Sequence, residues 1–202
     1  MIINPNFGYS TVHPFIALSN VFTNEECDSI SEIGSNYPMM DSVVGGTVSM
    51  SSPIRQSTNS FVLPNSETEW IFNRLIEAST FVNDKYFQYD LYGFSFFQYT
   101  EYGNNFDHYD WHMDLDPIKE VEIGYVASAR KLSASVILSD PSDYEGGSFE
   151  IYQKPDNTAE HIVNQEKGSI IFFPSYSMHR VTPVSDGVRK SLVVWIEGPK
   201  FK

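Results

Sequence analysis

Two histidines and four aspartates fall within the ten residues Asp107-His108-Tyr109-Asp110-Trp111-His112-Met113-Asp114-Leu115-Asp116. Imidazoles and carboxylates ligate divalent transition metals, and along an extended strand residues i and i+2 face the same way. His112 with Asp114 can therefore offer one nitrogen and one oxygen to a single ion, and so can His108 with Asp110. A His-x-Asp pair alone is a weak signal, because five histidines and 12 aspartates in 202 residues produce such pairs by chance. The best candidate for a third ligand is His179, which follows the apolar run Ile170 to Phe173 and the turn Pro174-Ser175-Tyr176-Ser177. Two imidazoles and one carboxylate on one face of an ion leave open positions opposite, the arrangement found in non-haem Fe(II) oxygenases. Ten residues beyond His179 come Arg189 and then Ser191, on one face of a strand ending Leu192-Val193-Val194-Trp195-Ile196. A guanidinium directed into a protein interior needs an anion.

Short strand-like runs carry these residues: Tyr92 to Tyr99, Tyr109 to Met113, Leu132 to Leu138, Ser148 to Tyr152, Ser169 to Phe173 and Ser191 to Ile196. Turn sequences separate them, among them Ser139-Asp140-Pro141-Ser142-Asp143, Glu145-Gly146-Gly147, Lys154-Pro155-Asp156-Asn157 and Ser185-Asp186-Gly187. No long helical patterns intervene, so the reading is antiparallel and mainly β, a jelly roll of two sheets with supporting α-helices. One domain over residues 1–202 is expected, with residues 1–90 as supporting helices and outer strands and residues 91–202 as the core. A helix begins at Thr23-Asn24-Glu25-Glu26-Cys27, a capping residue followed by acids, presents Cys27, Ile30 and Ile33, and stops at Gly34. A second helix is expected over Ser66 to Phe81, with Trp70, Ile71, Leu75, Ile76 and Ala78 as its apolar stripe. Residues 39–60, rich in Gly and Ser, read as a loop or irregular hairpin.

Lys plus Arg number 13 against 26 Asp plus Glu, a net charge of −13, which disfavours nucleic acid and anionic membranes as partners. With 30 aromatic rings and only 19% charged residues, the chain is nonetheless expected to fold around a core. Cys27 is the sole cysteine and has no partner for an intramolecular disulfide. The start Met1-Ile2-Ile3-Asn4-Pro5 lacks the features of a signal peptide, and no apolar run approaches the ~20 residues of a membrane span. A cytoplasmic location is the expectation.

The order His112-x-Asp114, distant His179, then Arg189-x-Ser191 resembles the 2-oxoglutarate and Fe(II)-dependent oxygenases. Gln98-Tyr99-Thr100-Glu101-Tyr102-Gly103 followed by the metal strand resembles their prolyl 4-hydroxylase branch. Arg130 to Ala134, Leu138 to Gly147 and His179 to Val184 are similar to the bacterial PKHD-type hydroxylases within it. The resemblance covers nearly the whole chain, residues 36–65 least well. It implies a double-stranded β-helix core and Fe(II) held by His112, Asp114 and His179, with the duplicated His108 and Asp110 remaining as the alternative pair. It further implies a 2-oxoglutarate whose far carboxylate meets Arg189, Ser191 and Tyr99, with O2 as cosubstrate and ascorbate (vitamin C) as a candidate reductant. The implied activity is a dioxygenase, hydroxylating a peptidyl proline with release of succinate and CO2.

Alternatives are the same chemistry on a free amino acid or other small molecule, and a jelly-roll binding module without turnover. Arg55, Tyr109 and Trp195 are candidate substrate contacts, although Trp111 and Trp195 also read as packing residues. Tyr92, Tyr102, Tyr109 and Tyr125 are candidates to line a groove for a proline-rich peptide or protein. The segment at 39–60 and residues 115–130 could flank it as lids.

Overall fold

The computed structural model describes residues 13–42, 54–115, 128–152, 159–161 and 166–200. In chain order its elements are β1 (Ile16–Leu18), α1 (Asn24–Asn36), β2 (Met40–Asp41), β3 (Arg55–Gln56), β4 (Thr58–Val62), α2 (Glu69–Val82), β5 (Phe97–Tyr102), β6 (His108–His112), β7 (Ser128–Ile137), β8 (Tyr144–Gly146), β9 (Phe149–Tyr152), β10 (Ala159–His161), β11 (Ile170–Pro174), β12 (His179–Val181), β13 (Val184–Gly187) and β14 (Arg189–Pro199). A seven-stranded sheet runs β1-β11-β7-β14-β5-β4-β2, a five-stranded sheet β10-β9-β12-β6-β3, and β13 pairs with β8. All the strand pairings are antiparallel. This is the mainly β, two-sheet jelly roll with supporting helices that the strand spacing predicts.

Alternation along the strands divides the core in two. On the large sheet, Phe97 and Tyr99 of β5 and Leu192, Val194 and Ile196 of β14 join Cys27 and Ile30 of α1 and Ile71 and Leu75 of α2 in one apolar cluster. Residues on the other face, Tyr102, Ile171 and Phe173, meet Phe149, Ile151 and Val181 of the small sheet in a second. The helices thus buttress the back of the sheet whose front builds the site.

Thr23 caps α1 as expected: its hydroxyl accepts from the Glu26 N–H at 3.2 Å, and the Glu26 carboxylate accepts from the Thr23 N–H at 2.9 Å. The helix does not stop at Gly34. It runs to Asn36, and Gly34 lies where the helix crosses the sheet: a Cβ there would sit 2.4 Å from the Tyr99 ring. Ile76 of the expected apolar stripe is 50% exposed, because α2 buries a narrower face through Ile71, Phe72, Leu75 and Ser79. The strand expected over Tyr92–Tyr99 begins only at Phe97. Within 39–60, where it is described, the irregular hairpin rather than the loop is found: β2 pairs antiparallel with the start of β4 at the edge of the large sheet, and β3 extends the small one. Residues 43–53, most of the 115–130 flank with Tyr125, and the Lys154–Asn157 turn lie outside the described residues. Among the described residues no helix is long and apolar enough to cross a membrane.

Candidate metal centre

Adjacent antiparallel strands bring the two histidines together. His112 ends β6, His179 begins β12, and the two are register partners with ring centroids 4.1 Å apart. Asp114 lies two residues beyond β6, and its N–H donates to the Ser175 carbonyl at 2.9 Å, tying it to the turn after β11. This places Asp114 Oδ1 3.6 Å from His112 Nε2 and Oδ2 3.5 Å from His179 Nε2. The three ligand atoms lie within 4.8 Å of one another.

The tautomers follow from the backbone. His112 Nδ1 faces the Asp110 carbonyl at 2.7 Å and His179 Nδ1 the Ser177 carbonyl at 2.9 Å. A carbonyl only accepts, so each Nδ1 carries a proton, and in the neutral ring Nε2 is the nitrogen left to ligate. Burial, followed by the neighbouring His179, lowers the His112 pKa to about 3 despite the opposing pull of Asp114, so the ring is neutral and able to ligate at physiological pH. Burial pushes the Asp114 carboxyl upward, but His179, His112, the Ser133 hydroxyl and Arg130 outweigh it and hold the group below its ordinary value.

Asp114 is 8% exposed, and its Oδ2 is buried without a hydrogen-bond partner. A buried carboxylate oxygen left unmatched costs a few kcal/mol. Two imidazole nitrogens converging on that carboxylate form the donor set of a divalent transition metal, so these residues fit an iron site. His108 and Asp110 stand apart from it. His108 Nδ1 faces the Phe106 carbonyl at 2.8 Å, and Asp110 is exposed and accepts from the Trp111 N–H.

Arg189, the first residue of β14, opens into the same cleft. It is 1% exposed, and its Nε and Nη2 have no hydrogen-bond partner. Register explains its direction: Arg189 pairs with Tyr102, Ser191 with Thr100 and Val193 with Gln98, so alternate residues of β14 and β5 share the cleft face. Gly147, at φ +61°, makes room for the stem, since a Cβ there would lie 2.8 Å from Arg189 Cδ.

The same parity corrects the expectation for Tyr99. Its ring lies on the opposite face, fully buried against α1, and its hydroxyl donates to Glu101 at 2.6 Å. The tyrosine on the cleft face is Tyr102, 5.5 Å from the Arg189 guanidinium. Tyr92 is likewise away from the cleft, beside Leu91, Phe94 and Ile196.

Beside the ligands, the Tyr109 ring stacks on His112 with centroids 3.4 Å apart, and the Arg55 guanidinium lies 4.5 Å over Tyr109. Trp195 lines the cleft with its Nε1 buried and unpartnered. Arg130, to which the sequence assigns no role in the site, covers Trp195 at 4.1 Å and donates to the Asp114 carbonyl at 3.3 Å. In the sequence it stands at the head of an apolar strand and opens a segment that resembles the PKHD-type hydroxylases. Trp111 packs instead against Tyr152 and Arg180. A wider hollow of about 600 Å³ between α1 and the region of Lys167 and Lys190 has a mixed-charge lining and none of the three ligands.

Residues 97–197 match the family model of the 2OG-Fe(II) oxygenase superfamily. A PKHD-type hydroxylase of Klebsiella pneumoniae (strain 342) is 36% identical over 89 residues, which is 44% of this chain and 37% of that protein. The chain spans under two-fifths of the length of such curated relatives. The viral collagen prolyl hydroxylase of Paramecium Bursaria Chlorella virus-1, solved with 2OG, shares the fold at TM-score 0.67 and 22% identity, covering 95% of this chain and 99% of that one. A Trichoplax adhaerens prolyl hydroxylase, solved with a hypoxia inducible factor peptide fragment, does so at TM-score 0.71 and 15% identity, covering 91% and 83%. The triad of His112, Asp114 and His179, the orphaned arginine beside it and the match across both their strands lead to one conclusion: the chain belongs to the 2OG-Fe(II) oxygenase superfamily, whose cofactors are Fe(II), 2-oxoglutarate and O2.

Proposed function

We propose that this chain is a 2-oxoglutarate- and Fe(II)-dependent hydroxylase acting on a peptidyl proline. The observation that carries the reading is one cleft holding both a three-ligand centre with a bare carboxylate oxygen and a buried guanidinium with two unmatched donors. His112, Asp114 and His179 would hold the iron. Bound Fe(II) with O2 supplies the oxidising chemistry, in which 2-oxoglutarate becomes succinate and CO2, one oxygen atom enters succinate and the other a substrate C–H bond.

The chain's own groups bind and orient. The Arg189 guanidinium pairs with the far carboxylate of 2-oxoglutarate, and Ser191 adds a hydroxyl from the same strand face, with Tyr102 rather than Tyr99 beside it. Backbone carbonyls of Asp110 and Ser177 keep both imidazoles in the ligating tautomer. Tyr109, Trp195 and Phe173 wall the cleft with rings, limiting water access, and flat aromatic faces suit a prolyl ring in an extended chain. The prolyl hydroxylase neighbours, one holding a peptide, support a peptide substrate.

The test is an anaerobic titration with Fe(II) and 2-oxoglutarate, then admission of oxygen and measurement of succinate. A panel of prolyl peptides is screened in parallel for the mass of one added oxygen. Failure to bind 2-oxoglutarate with iron present would overturn the cofactor assignment, and succinate release with no modified peptide would overturn the prolyl assignment.

A further inference from the structure

The chain has five arginines within its net charge of −13. Four of them stand on strands that build the cleft: Arg55 on β3, Arg130 on β7, Arg180 on β12 and Arg189 on β14. Arg180 is neutralised by Glu150 at 2.6 Å. Arg130 covers Trp195 and donates to a backbone carbonyl, and Arg189 faces the cosubstrate. Arg55 is different. It is 7% exposed, its Nε donates to Ser57 Oγ at 3.1 Å, and among the described residues it forms no ion pair. A buried guanidinium without an anion is costly, and stacking on one ring offsets only part of that cost.

Its position says where the missing anion belongs. Arg55, Tyr109 and His112 form a column, with spacings of 4.5 Å and 3.4 Å, that ends at the metal centre. Once loaded, that centre is electrically balanced: the charges of Fe(II) and Arg189 match those of Asp114 and the two carboxylates of 2-oxoglutarate. The charge of Arg55 remains, on the far side of Tyr109 from His112 and in the lining of the same cleft.

We propose that Arg55 receives a carboxylate of the substrate, a specificity contact that rests on the hydroxylase reading above. Two ring spacings separate it from His112, and an extended chain advances about 3.3 Å per residue, so the carboxylate lies within about two residues of the carbon hydroxylated. A guanidinium held at Nε by Ser57 keeps its two Nη groups for a forked contact with a carboxylate. The carboxylate can belong to an acidic side chain beside the target or to a chain terminus.

The experiment measures binding to the anaerobic Fe(II) and 2-oxoglutarate complex, and hydroxylation after oxygen is admitted. The probes are end-capped prolyl peptides with Glu, Gln or Lys one or two residues from proline, the neutral peptide with a free or amidated C-terminus, and free proline. A carboxylate-bearing probe is expected to bind about tenfold more tightly than its neutral counterpart, and the arm that shows this names the source. Arg55→Gln should erase the preference while iron and 2-oxoglutarate affinities stay within about twofold, Arg55→Lys should keep part of it, and Arg55→Glu should turn it toward Lys-bearing peptides. Equal binding of Glu, Gln and Lys peptides and of both C-terminal forms by the unaltered protein overturns the proposal, as does a preference that survives Arg55→Gln, or no binding by any probe. Preferential binding of carboxylate probes with no oxygen gained would instead overturn the hydroxylase reading and leave this contact standing.

Discussion

Replacing Arg189 by Met should make the protein more stable and unable to bind its cosubstrate. The aliphatic stem of Arg189 packs beside Gly147, and methionine preserves much of that contact. What methionine removes is a charged head with two donors, Nε and Nη2, that are buried without a hydrogen-bond partner. Each unmatched buried donor costs about 1–3 kcal/mol, so relieving two of them, less some imperfect packing, should gain about 2–3 kcal/mol. For a chain of this length that corresponds to a rise of about 4–12 °C in Tm. Thermal unfolding of metal-loaded protein, with and without 2-oxoglutarate, is the assay. In the unaltered protein a 2-oxoglutarate concentration of 100 Kd should add about 2.7 kcal/mol, and in Arg189→Met it should add nothing. Metal affinity should be similar in both. A lower Tm for Arg189→Met, or an undiminished response to 2-oxoglutarate, would refute the reasoning, since the guanidinium would then have partners other than the cosubstrate.

Asp114→Ala should abolish binding of Fe(II) or Mn(II) in equilibrium titrations, while Asp110→Ala should leave it within about twofold, because Asp110 is exposed and outside the ligand cluster. Gly147→Ala should lose about 1–2 kcal/mol of stability from its φ of +61° and weaken 2-oxoglutarate binding by displacing Arg189 Cδ, with metal affinity retained. Burial raises the Cys27 pKa to about 11, so the thiolate is scarce in the folded protein at pH 8. Alkylation of Cys27 should therefore be slow at pH 8 in the native state and fast in denaturant, as followed by mass spectrometry.

Local signals survived folding well. Thr23 and Glu26 make the capping box their spacing promises, and the apolar runs after residue 91 lie on strands, although the first is a strand only from Phe97 and the expected turns at Glu145-Gly146 and Ser185-Asp186-Gly187 are the paired strands β8 and β13. The errors arose where a residue's role depends on a distant partner. Gly34 looks like a helix stop in isolation, yet it serves the close approach of α1 to Tyr99, 65 residues later in the chain. Arg55 sits in a stretch with no regular period, and only pairing with β6 makes it a strand residue over Tyr109.

By itself the sequence determined the chemistry on offer: which imidazoles, carboxylates and guanidinium exist, in what order, and on strands of what kind, because residue type and local alternation are written along the chain. Which of them meet was decided by tertiary structure. His112 and His179 become neighbours only through the β6–β12 register, and Asp114 joins them only because its N–H is held by Ser175. The sequence offers Tyr99 as the tyrosine beside Arg189; once β14 is laid against β5, the register sends Tyr99 to the helices and Tyr102 to the cleft. The period-two strand tells which residues share a face, but not which face turns toward the site, and that choice is made by packing the whole sheet between two cores.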